Sequence, residues 1–287
     1  MKPLFHTLLL MLTAGALSAC GNILEEPSMA KAKTGELTIS LQTDVSLQVD
    51  TKATEQETEQ EKNIKTYQGT LSVTMQAQPD TKLPEGATLP TTAGTFTVPV
   101  GKYTLLAKNE KSMTTDFGWN YPVLASPTEP IEIKQGTQEA KLTCTLQNSI
   151  IAVNSTAWST LLQDVEVTAF QVINAETVPA KGEIITGGTS LLADNSQTQL
   201  KEGVLYVKPD LANVKIVLDG KLKSGTQASF RAAAPIKPSQ TANDPIGKQN
   251  QYNVSFSLDQ SKGQLVLSIT VDSTLTPVEI VIPIIPE

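Results

Sequence analysis

The sequence has 287 residues, with 22 Lys plus Arg against 29 Asp plus Glu, a formal net charge of −7 and a single histidine. The acidic balance excludes an electrostatic nucleic-acid binder. Hydrophobic content of 39% with 18% charged residues excludes a disordered chain, and the length suffices for two domains, each with its own core.

In chain order, residues 1–19 carry a cation at Lys2, an apolar run from Leu4 to Leu17 and small residues after it, the three parts of an export signal. The run is too short, and too interrupted by His6 and Thr7, for a membrane span of about 20 apolar residues. No later stretch does better. Leu17-Ser18-Ala19-Cys20 resembles the lipobox of bacterial lipoproteins. The resemblance implies cleavage before Cys20 and lipidation of its sulfur. A membrane would then be a partner through the lipid, held firmly because two or three acyl chains anchor where one is marginal. Residues 20–34 read as the lipidated tether. Cys144 is then the only free thiol, so no intrachain disulfide forms and stability comes from packing.

Past the tether the hydrophobic pattern has period two. Leu37, Ile39 and Leu41 alternate with polar residues, as do Leu71, Val73 and Met75, which predicts half-buried strands. Between them, Thr54 to Lys62 is rich in helix formers but has no apolar stripe, so it reads as a solvated helix or a loop. The run from Thr95 to Leu105 places Gly101 between two alternating segments, with Pro99 at a strand end, and predicts a hairpin. Further strands are expected at Ile131 to Lys134, Ala140 to Leu146, Ser149 to Val153, Val165 to Phe170, Val204 to Val207 and Val214 to Leu218. Tyr252 to Leu258 and Leu265 to Val271 alternate on either side of a turn, a second hairpin. Strands at this spacing predict an all-β chain of two antiparallel β-sandwich domains, residues 35–147 and 148–287, meeting at the Gln147-Asn148 turn. Thr177 to Gln199 and Lys223 to Asn250 read as long loops, either mobile decoration or contact surfaces for a partner.

The exported chain is poor in catalytic chemistry. Its one histidine, His6, lies in the signal, so no Ser-His-Asp or Cys-His set and no histidine-ligated metal site is expected. Arg231 is the sole arginine, and no Gly-rich phosphate loop precedes a Lys-Ser or Lys-Thr pair. Asp194, Asp259 and Asp272 lie in turns without calcium-loop spacing. No cofactor or metal is expected, and the reading is non-enzymatic. Cys144 shares a strand face with Ala140, Leu142 and Leu146 and reads as a small core residue. Trp119 and Tyr121, near Phe117 and Gly118, read either as core closure or as ligand-binding aromatics that stack on a sugar.

The segment Val98-Pro99-Val100-Gly101-Lys102-Tyr103-Thr104-Leu105, followed by Lys141-Leu142-Thr143-Cys144-Thr145-Leu146-Gln147-Asn148-Ser149, resembles an uncharacterised lipoprotein family of Bacteroidetes. That family is similar to the fimbrillins and minor fimbrillins of surface pili. The resemblance implies transthyretin-like sandwiches, an outer-membrane address on the cell surface, and other fimbrial subunits or host or glycan ligands as partners. Glu25 and Glu26 resemble the acidic surface-export signal of such lipoproteins. Thr51-Lys52-Ala53 is similar to the site where fimbrillin precursors are trimmed, with Lys52 in place of the usual arginine. The resemblance also implies strand addition between subunits, for which Val278, Ile280, Ile282 and Ile284 form the candidate donor strand. The same run serves equally as the last core strand of its own domain. Asp272-Ser273-Thr274 resembles the O-glycosylation site of exported Bacteroidetes proteins, at Ser273.

Overall fold

In a computed structural model of the chain, the residues described are 33–44, 64–223, 229–237, 245–259, 265–271 and 278–282, with side chains as far as Ser257. Cys20, Glu25, Glu26, Lys52, Thr54 to Lys62, Asp272, Ser273 and Ile284 lie outside them.

The chain is all-β, as its alternation predicts. The first strands are β1 (Thr34–Asp44), β2 (Leu71–Ala77), β3 (Gly94–Pro99) and β4 (Gly101–Asn109). After them come β5 (Phe117–Trp119), β6 (Leu124–Ala125), β7 (Glu129–Ile133), β8 (Thr137–Leu146) and β9 (Ser149–Val153). The first sheet runs β2-β4-β6-β8-β1-β3, with β7 also paired to β4. The strands β6 and β7 run one after the other along the same side of β4, interrupted around Pro127, where the ladder is patched by a side chain: Ala107 N–H donates to Ser126 Oγ, 3.0 Å. Most pairings are antiparallel, but β1 lies parallel to β8 through nine register pairs from Glu36↔Thr137 to Asp44↔Thr145. Gly35 admits this insertion, because a Cβ there would sit 2.0 Å from Lys134 O.

The predicted hairpin across Gly101 is corrected. The strand β3 pairs with β1, and β4 with β2, β6 and β7, so the two strands are joined by a corner rather than by a ladder. Pro99 has no N–H for a hairpin bond. Val100 N–H donates instead to Lys33 O, and a Cβ on Gly101 would meet Thr81 at 2.3 Å. Alternation decides which face of a strand is buried, not which strand lies beside it.

The rest of the chain adds α1 (Ser155–Asp164), β10 (Val165–Asn174), β11 (Thr189–Ser190), β12 (Leu205–Val207), β13 (Val214–Leu222) and β14 (Ser229–Pro235). The last strands are β15 (Gln251–Asp259), β16 (Leu265–Val271) and β17 (Val278–Ile282). They form two sheets, β11-β10-β13-β14 and β17-β16-β15-β9-β12-β5. The predicted β15–β16 hairpin is present, from Val254↔Val271 to Asp259↔Val266. The sequence reading missed α1, whose apolar face is only Ala157, Trp158, Leu161 and Leu162 among Ser and Thr. It forms because Asn154 caps it, Oδ1 accepting from Ala157 N–H at 2.9 Å. Trp158 then stacks on Phe170 with centroids 5.0 Å apart, and Phe256 meets both rings.

Two cores result. One gathers Leu37, Leu105, Leu142 and Cys144 inside the first sheet, and the other gathers Trp158, Phe170, Ile216 and Phe256. They meet at a common wall made by β5, β12 and β9. Leu205 and Val207 face the second core while Tyr206 faces the first, and Ile151 and Ile150 divide in the same way. A strand covered on both sides puts alternate residues into different cores. Asn148 ties the corner: it donates to Tyr121 O at 2.9 Å, and its own carbonyl accepts from Gln249 N–H at 3.0 Å.

Candidate functional site

Trp119 ends β5, and its ring packs against the second core. The next residue, Asn120, has φ 53° and turns the chain. Its N–H donates to Val204 O at 2.8 Å, and Val204 N–H donates to its Oδ1 at 2.9 Å. Gly203 is needed here, since its φ is 104° and a Cβ would lie 2.4 Å from Asn120 Oδ1. This clamp holds Val204, the residue before β12, to the turn that follows β5. The β12–β9 ladder stops at Leu205↔Ile151, two residues short of the end of β9 at Val153.

A cavity of about 150 Å³ opens at that point, lined by Trp119, the 150–153 stretch of β9, Leu191, Leu200, Lys201, Gly203 and Val204. Lys201 holds its far side, with its N–H donating to Leu191 O at 2.8 Å and its Nζ 5.7 Å from the Trp119 ring centre. The side-chain partner of Lys201 is Asp194 at 3.8 Å, a carboxylate 86% exposed. At that exposure the pair contributes at most about 1 kcal/mol. The indole Nε1 of Trp119 is closed to water and has no acceptor.

Tyr121, two residues on, faces the first core instead. Lys111 Nζ lies 4.8 Å from its ring centre and 5.0 Å from that of Tyr67. The two aromatics singled out in the sequence therefore belong to different cores. Lys201, Leu191, Leu200 and Gly203 were missed, because nothing local in the sequence marks a residue that meets Trp119 some eighty positions away.

The segment Thr177 to Gln199 is partly built into the fold. Leu191 and Leu192 are core residues, and Leu192 bridges Leu200. Ahead of them Ala180-Lys181-Gly182-Glu183 is a turn, with Glu183 N–H donating to Ala180 O at 3.0 Å and Gly182 at φ 92°. Arg231 fixes it: the guanidinium pairs with both oxygens of Asp219, at 2.7 and 2.6 Å, and donates to the carbonyls of Pro179, Ala180 and Glu183. The hydrogen bond to Asp219 raises its pKa further above its ordinary value. Ile184, next to the turn, is 86% exposed.

Among the described residues no group of three His, Cys, Asp or Glu side chains is placed to hold a metal ion, and no helix is long and apolar enough to cross a membrane. Burial pushes the Cys144 thiol up to about 11 and raises Tyr206 and Tyr103 above the usual phenol range. Cys144 donates to Ala107 O at 3.6 Å and is fully buried, a core residue as expected.

The family model for the domain of unknown function DUF4493 matches residues 33–286. The chain belongs to this family. No curated protein matches it. Its structural neighbours are fimbrial and adhesin proteins of Bacteroidetes, all at low identity. A fimbrial assembly protein from Parabacteroides distasonis is 12% identical with a TM-score of 0.38, covering 84% of this chain and 99% of that one. The tip fimbrial protein Mfa3 of Porphyromonas gingivalis is 9% identical with a TM-score of 0.34, over 70% and 92%. The fimbrial anchor protein Mfa2 of the same organism is 11% identical with a TM-score of 0.31, over 82% and 97%. Likeness at these scores carries no argument about function.

Proposed function

We propose that this chain is a non-enzymatic cell-surface lipoprotein, anchored in the outer membrane through lipid on Cys20, that works as a fimbria-associated or adhesin-like subunit with domains 35–147 and 148–287. The observation that carries this reading is the placement of β1. It is the first described strand, it pairs with β8 and β3 rather than with β2, and Leu37 and Ile39 fill the first core. Because β1 pairs only with strands distant in sequence, no tight turn ties it to its neighbours in the sheet. Cleavage at Lys52 would leave β1 held only by pairing and packing, and its removal would open a strand-shaped slot for a neighbour. At the other end β17 closes its sheet as the last strand in the order, paired only to β16 among the described residues. Its residues Val278, Ile280 and Ile282 are the donor on this reading.

The test is to shear surface filaments from cells and look for this chain in them. We expect it there, and expect it lost on deletion of Val278 to Glu287 or on Lys52→Ala. Filaments that never contain the chain would sink the assembly reading. Mass spectrometry of the N-terminal peptide tests the anchor, and an unmodified Cys20 refutes it. O-glycosylation at Ser273 would show in the same digest.

The Trp119 cavity favours a second reading, capture of a glycan. Selective sugar binding lost on Trp119→Ala would establish it. Tyr121 is the weaker candidate, since its ring already faces Lys111.

A further inference from the structure

We infer that the cavity between Trp119 and Lys201 takes a ligand ending in a six-membered ring that carries a carboxylate. The inference rests on the capture reading and deepens it by naming the chemistry recognised. It uses neither β1 nor the C-terminal strand, so the assembly reading does not depend on it.

Size sets the first limit. A cavity of about 150 Å³ is the class that holds a single benzene-sized ring, so one terminal ring enters and the rest of a longer ligand stays outside. The walls suit a ring: Trp119, Ile151, Val153, Leu191 and Leu200 are among the lining residues.

The polar chemistry of the lining sets the second limit. The Lys201 ammonium is the charged group of the lining and is a donor with no acceptor capacity; the Trp119 indole N–H is closed to water and does not open onto the cavity. No side chain of the lining accepts a hydrogen bond, so the complementary group is an acceptor, and the charge on Lys201 selects an anion. Asp194 does not meet that need, because it stands outside the lining and its 3.8 Å contact is with a carboxylate almost wholly in water. Lys201 also lies over the Trp119 ring. A neutral sugar stacking there offers the ammonium only uncharged hydroxyl oxygens, whereas a carboxylate draws it aside and pairs with it as an ion. A hydrogen bond from a charged donor to a charged acceptor is among the stronger ones.

The carboxylate ring can come from an acidic sugar at the end of a glycan or from a free small acid. Titration of the full chain with matched pairs separates these: oligosaccharides ending in glucuronate or in glucose, and cyclohexanecarboxylate beside cyclohexanemethanol. The acidic member of a pair is expected to bind about tenfold tighter or more, and Lys201→Met, which keeps the apolar stem, should erase that difference at unchanged melting temperature. Preference within the sugar pair assigns a glycan, and preference confined to the cyclohexane pair assigns a free acid. Equal binding of acidic and neutral members, or undiminished acid binding by Lys201→Met, overturns the carboxylate inference and leaves the capture reading standing. No binding of any ring ligand overturns both.

Discussion

The two cores solve one problem by different means. The first is mostly aliphatic, with Leu37, Ile39, Leu105, Leu142 and Leu146 beside Tyr103 and Tyr206, and its sheet is completed by β1, whose partner β8 lies far along the chain. The second is organised around the rings of Trp158, Phe170 and Phe256, with a helix laid across them. One half depends on a strand, the other on an aromatic cluster, and β5, β12 and β9 belong to both. On the assembly reading, the half completed by β1 is the one that exchanges a strand. A half locked by rings is suited to carry a fixed pocket, and the Trp119 cavity opens on that side.

The largest expected effect tests the shared wall. Tyr206→Ala should destabilise the protein by about 3–5 kcal/mol, and the loss should appear together in probes of both halves during denaturant unfolding. Loss confined to the first half would show that the wall does not couple them. Alkaline pH should act on the first core. The Cys144 thiol is raised from 9.0 to about 11 in the folded chain, so the unfolded chain releases its proton first and stability falls as pH rises through that window. The fall is about 2–3 kcal/mol by pH 11. A Cys144→Ala variant should show a flatter stability curve between pH 9 and 11, and an unchanged slope would refute this. Gly35→Ala should cost about 1–3 kcal/mol through the clash with Lys134 O and loosen β1 in particular, read as faster amide exchange along residues 36–44. The smallest effect belongs to the second half: Asn154→Ala removes the cap of α1 and should cost about 1 kcal/mol, leaving exchange in β1 untouched.

Much of the strand inventory was legible because burial on one face imposes a period of two, and that signal is local. Partners were less so. Residues 95–105 look like a hairpin from any window that ends at Leu105, yet β3 and β4 part at a corner because Lys33 and Thr81, far off in sequence, occupy their neighbouring positions. The helix was hidden because Ser and Thr dilute its apolar face, and three rings drawn from three elements stabilise it. Trp119 was visible as an aromatic of interest. Its setting was not, since the cavity beside it is completed by Leu191, Leu200, Lys201 and Gly203 from far along the chain.

By itself the sequence pointed to a β protein, to a first segment that resembles a lipoprotein leader, and to a chain whose single histidine lies in that segment. Those properties follow from residue types and their short-range order. Tertiary structure decided that β1 inserts parallel to β8, that one wall serves two cores, that the sole arginine holds a loop, and that a lysine stands over a tryptophan beside a ring-sized cavity. Each of these depends on contacts between residues tens of positions apart. Such contacts are selected by packing the whole chain at once, and no local pattern encodes them.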